Sequence, residues 1–63
     1  MADPKERLHT LRHDLSNPLA AILAETQLLL LTPDKYDSET VTSLQQIETL
    51  ARKMSKILET ADM

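Results

Sequence analysis

The chain contains no cysteine, no glycine, no phenylalanine and no tryptophan. Each absence removes a class of protein. Without cysteine there is no disulfide and no thiolate zinc site. Without glycine there is no Walker loop, dinucleotide fingerprint or Gly-rich lid, because those loops need a residue that lets backbone approach phosphate. A nucleotide is therefore not expected to be held by this chain alone. Without Phe and Trp the core must be aliphatic. The chain also lacks an extended basic run and carries a net charge of −3, which disfavours nucleic-acid binding. Leu28 to Leu31 is an uninterrupted leucine run, far short of a membrane span. The N-terminal residues Met1 to Arg7 contain no apolar signal segment. The expected setting is cytoplasmic with no membrane contact by this segment, and a parent chain anchored elsewhere is compatible with that.

What is present is helical periodicity over 63 residues. Asp3 has the character of an N-cap, Pro4 falls at the first helical position, and Glu6 lies three residues after the cap. Apolar residues and Thr26 then recur at spacings of three and four: Leu8, Leu11, Leu15, Leu19, Ile22, Thr26 and Leu29. The pattern predicts a helix over about 4–31. Pro18 falls inside it, but the stripe continues past the proline, so the expectation is one kinked helix. Residues 32–37 read as a loop, since Pro33 turns Thr32 away from helix.

Asp37 or Ser38 caps a second helix, expected over about 38–62. Its stripe is Val41, Leu44, Ile47 or Glu48, Ala51, Met54, Leu58 and Ala61, widened by Leu50 and Ile57. Met54 reads as core rather than as a ligand. The fold class is therefore all-α: one domain over 1–63, an antiparallel helical hairpin. A hairpin this short buries too little surface to be comfortable alone. With no staple available, dimerisation into a four-helix bundle is the expected route to a core.

The chemistry-bearing stretch is His13-Asp14-Leu15-Ser16-Asn17-Pro18. At 100° per residue, His13 and Asn17 point away from the apolar stripe and lie one turn apart. Asp14 lies on the flank. Neutral imidazole is a nucleophile near neutral pH. Attack through Nε2 leaves a proton on Nδ1 that a neighbouring carboxylate can take. An amide one turn on can orient a water. An exposed histidine is most often only a solvated residue. The neighbouring helix-interior proline, at a cost of about 3 kcal/mol, argues for more than that here.

The stretch from Leu11 to Ile22 resembles the H-box of the HisKA-type sensor histidine kinases. That box runs His, an acidic residue, Thr or Asn three later, then Pro-Leu, and here it meets His13, Asp14, Asn17, Pro18 and Leu19. The resemblance implies a dimerisation and histidine phosphoacceptor domain in two-component signalling. It makes His13 the phosphoacceptor and Asp14 the general base of autophosphorylation. It makes Asn17 the residue that positions water in dephosphorylating the response regulator, and Pro18 the helix bend. Two departures stand: Asp14 is one methylene shorter than the commoner Glu, and Ser16 replaces a commonly basic residue.

The resemblance also implies partners: a second copy of the chain, an ATP-binding kinase domain, and a response-regulator receiver domain. ATP and Mg²⁺ belong to those partners, and no cofactor is expected on this chain. Whether the chain counts as an enzyme depends on that separate domain. The preferred reading is a segment of a longer kinase. A stand-alone phosphotransfer protein and a purely structural dimerisation hairpin are the alternatives. Ala20, Ala21, Ala24 and Leu28 point outward near His13 and read as a docking patch for the receiver. His9 and His13 have the i, i+4 spacing of metal ligands, but too few further donors exist and no metal site is expected.

Overall fold

A computed structural model describes residues 3–60. Among them are two helices and a short turn: α1 (Pro4–Leu30), a single 3₁₀ turn (Pro33–Lys35) and α2 (Ser38–Thr60). The helices lie side by side in a hairpin about 50 × 15 × 13 Å. The second helix is described as far as Thr60; Ala61 and Asp62, the last residues of the expected helix, lie outside the described residues.

The start of α1 is built as its sequence dictates. Asp3 is extended, and its Oδ1 accepts from the Glu6 N–H at 2.8 Å. Pro4 loses nothing at the first position, where its N–H would have no helical partner. Helix α1 then runs uninterrupted through Pro18. Proline has no N–H to give the carbonyl four residues back, so the Asp14 carbonyl loses its helical donor beside His13. The helix ends without a left-handed residue. Leu31 stays right-handed and its N–H donates to Leu28 O at 3.2 Å. No described residue has positive φ, which is how a glycine-free chain makes this reversal.

Thr32, held off helix by Pro33, opens the 3₁₀ turn, and Tyr36 N–H closes it onto Pro33 O at 3.2 Å. Asp37 caps α2: its Oδ1 accepts from Thr40 N–H at 2.7 Å and its carbonyl from Val41 N–H at 3.1 Å. Of the two expected caps, Asp37 is the one used. Hydrogen bonding from Thr40 holds the Asp37 carboxyl below the usual carboxylate value, side-chain bonding first and backbone bonding second.

The hairpin seam is thin. Among the described residues only Leu19, Thr26 and Ala51 are buried, and Thr26 satisfies its hydroxyl by donating to Ile22 O at 2.7 Å. Half-buried Ser16, Leu23 and Leu30 extend the seam on α1, and Val41, Leu44, Glu48, Ser55 and Leu58 extend it on α2. The expected stripes are thereby divided in two. Leu19 and Thr26 of the first stripe enter the seam, while Leu8, Leu11, Leu15, Ile22 and Leu29 stay exposed. In the second stripe Ile47 and Met54 are exposed, together with the flanking Leu50 and Ile57. Met54, expected in the core, is 53% exposed in the single hairpin. The reason is geometric. A stripe wide enough for a bundle has two edges, and one antiparallel neighbour covers only one of them.

The uncovered edges of both helices lie on one side of the hairpin. There Leu15, Pro18 and Ile22 meet Met54 and Ile57 in an open, almost wholly apolar groove. No described helix is long and apolar enough to cross a membrane.

Candidate functional site

His13 lies on the other side of the seam. A groove there is lined from α1 by Arg12, His13, Ser16, Asn17 and Ala20, and from α2 by Ser55 and Glu59. The two faces thus differ sharply: one apolar, containing Pro18, and one polar, containing His13. The same local sequence makes both. Asn17 and Pro18 are consecutive and so project 100° apart on the helix. One reaches the His13 groove and the other the apolar groove.

His13 is exposed, as the sequence predicts, and so are Asp14 and Asn17. His13 and Asn17 share one groove, one turn apart. Asp14 does not line that groove; it flanks His13 on the helix surface. The His13 ring meets the His9 ring edge-on, with centroids 5.1 Å apart and planes at 67°. The Arg12 guanidinium lies 3.4 Å from His9 Nδ1. Around the candidate nucleophile, then, are a second imidazole, a guanidinium and an amide, with a carboxylate on the flank. An open groove leaves space for an incoming phosphoryl donor or acceptor. Among the described residues no group of three or more His, Cys, Asp or Glu could hold a metal ion.

Of the expected docking residues, Ala20 lines the His13 groove, and Ala20, Ala21, Ala24 and Leu28 are all exposed. The α2 residues Ser55 and Glu59 are site residues that reading α1 alone misses. Folding the chain about the Pro33–Lys35 turn brings Ser55 and Glu59 into one groove with Arg12 and Ser16. The hairpin register therefore carried the signal, although neither residue belongs to a local motif.

An all-helical hairpin with an exposed histidine about one turn before a helix-interior proline has the architecture of a helical phosphoacceptor domain. A family model described as His Kinase A (phospho-acceptor) domain matches residues 5–63. The chain belongs to that family, whose members form the phosphoacceptor and dimerisation module of histidine kinases. No curated protein and no solved structure matches the chain.

Proposed function

We propose that this chain serves two-component signalling by taking a phosphoryl group on His13 and passing it to a carboxylate of a response-regulator receiver. The observation that carries this reading is the placement of His13. It stands in solvent beside a two-helix groove, inside a chain whose family is defined by a phosphoaccepting histidine.

The chemistry follows from the residues. His13 Nε2 attacks the γ-phosphorus of ATP presented by a separate kinase domain. The new N–P bond forms as the bond to the bridging oxygen breaks, and ADP leaves. Asp14, on the flank, takes the proton from Nδ1. A receiver Asp carboxylate then attacks the same phosphorus; the new O–P bond forms as the N–P bond breaks, and the ring takes a proton back at Nδ1 and leaves as neutral imidazole. Asn17 shares the groove and orients water against the phosphorylated receiver. Replacing it by Ala should spare labelling of His13 and reduce that dephosphorylation.

Dimerisation supplies the missing core. Leu15, Ile22, Met54 and Ile57 are exposed on the face away from His13. Two hairpins joined through that face would form a four-helix bundle and leave both His13 grooves open. Ala20, Ala21, Ala24 and Leu28 supply apolar contact for the receiver.

The test is labelling with γ-labelled ATP in the presence of the cognate ATP-binding domain. Acid-labile, alkali-stable label is expected on the wild-type chain and none on His13→Gln. Label of the same kind persisting on His13→Gln overturns the assignment.

A further inference from the structure

His9 and His13 stand one turn apart on α1, and both are exposed. That spacing by itself says little, because any two side chains four apart share a helix face. The structure adds the separation of the rings, whose centroids lie 5.1 Å apart. Two imidazoles bound to one tetrahedral ion, with metal–nitrogen bonds of about 2.0–2.1 Å, have centroids about 5 Å apart. The pair thus already has the separation of two ligands on a single ion. Because both rings are exposed, an ion reaches them without opening the hairpin.

The donors select the ion. Two imidazole nitrogens suit Zn²⁺, Ni²⁺ or Cu²⁺, whereas Mg²⁺ seeks oxygen. Among the described residues no third His, Cys, Asp or Glu joins them, so a closed structural site is not formed. An open site needs only the two rings, with water in the other positions. Charge acts in both directions. Glu59 lines the groove with His13 and favours a cation, while Arg12 lines it too and opposes one. Arg12 also lies 3.4 Å from His9 Nδ1 and can only donate, so in this contact His9 carries its proton on Nε2. Coordination through Nε2 moves that proton to Nδ1 and turns Arg12 away. A contact of 3.4 Å is long for a hydrogen bond, and a metal–nitrogen bond displaces it.

We propose that His9 and His13 bind one divalent transition ion of the Zn²⁺ class through Nε2 of each ring, and that the bound ion closes His13 to phosphorylation. Coordination takes up the lone pair that would attack phosphorus, so an ion and a phosphoryl group exclude each other at that nitrogen. The block on phosphorylation rests on the proposed phosphoacceptor role of His13; the metal site itself does not.

The experiment titrates the chain with Zn²⁺ in a buffer free of chelators and follows the histidine ring signals by NMR. A single Zn²⁺ per chain is expected, with both rings shifting together and Mg²⁺ shifting neither. His9→Gln and His13→Gln should each weaken Zn²⁺ binding by at least about tenfold, the loss of chelation. Arg12→Gln should bind Zn²⁺ at least as tightly as the wild type. Diethyl pyrocarbonate, which acylates imidazole nitrogen, then reports on the nucleophile. Saturating Zn²⁺ should protect His13 in the wild type, and the same concentration should not protect it in His9→Gln. Circular dichroism checks that each variant keeps its helices. Equal affinity for wild type and His9→Gln overturns the site, and so does an ion that shifts only one ring. Zn²⁺ held by both rings without protection of His13 overturns the block on the nucleophile. Labelling of His13 by ATP is measured separately, without Zn²⁺; its absence would remove the phosphoacceptor reading and leave the metal site standing.

Discussion

Glu59, in the last turn of α2, lines the same groove as His13 of α1. A phosphoryl group carried on His13, as proposed, would share that groove with a carboxylate of like charge. Like charges near a surface interact by roughly 0.2–1 kcal/mol, a factor of about 1.4 to 5 in an equilibrium. Glu59→Gln should raise the fraction of His13 phosphorylated at a fixed ATP to ADP ratio by a factor in that range. The gain should shrink with added salt. Quantifying acid-labile label against salt checks it, and a lower labelled fraction in Glu59→Gln contradicts it.

The apolar face makes a second prediction. Ile22 is 51% exposed and Met54 53% exposed in the single hairpin, on the side that lacks His13. Burying such a side chain is worth about 1.5–3 kcal/mol, and a symmetric dimer buries it twice. Ile22→Asp or Met54→Glu should raise the dimer dissociation constant by at least about tenfold and lower helix content with it. Sedimentation equilibrium read beside circular dichroism decides. A variant that stays dimeric places the interface elsewhere.

Asp37 gives a pH prediction. Its carboxyl is held low in the folded hairpin by Thr40, so folding favours the charged form. Its contribution is complete above the ordinary carboxylate value and is lost as pH falls through the lower folded value. Asp37→Asn keeps a capping oxygen but removes the titration. The variant should melt close to the wild type at neutral pH and show a shallower loss of melting temperature on the acid side. Identical acid profiles in thermal melts would show that the cap carries none of the dependence.

The hairpin itself was legible because both helices announce their ends. Asp3-Pro4 and Asp37 start them, and Pro33 forces the break. His13 and Asn17 were legible as an exposed pair because their spacing fixes a common face. The division of the apolar stripe was not. Periodicity says that Leu15 and Leu19 are on one side of α1, but not which of them faces the neighbour in the same chain. That choice is made by the register of two helices and by the crossing of their side chains, which are not local properties. For the same reason Ser55 and Glu59, ordinary polar residues in sequence, became part of the site only when the chain was folded about its turn.

Pro18 carries the last prediction. Its ring lies in the apolar groove with Leu15 and Ile22, while its missing N–H leaves the Asp14 carbonyl without a helical donor. The residue thus touches the proposed dimer face and the backbone of the His13 turn together. Alanine restores the donor and has the highest helix propensity, so Pro18→Ala should stabilise α1 by up to about 3 kcal/mol. The smaller side chain also covers less apolar surface at the dimer face, which offsets some of that gain, so the gain should be largest when the chain is monomeric. If the weakened turn lets His13 move between donor and acceptor, the stabilised variant should label and transfer more slowly while melting higher. Thermal melts at several protein concentrations, paired with single-turnover labelling, separate the two effects. A variant with a raised melting temperature and unchanged rates would make Pro18 a feature of packing alone.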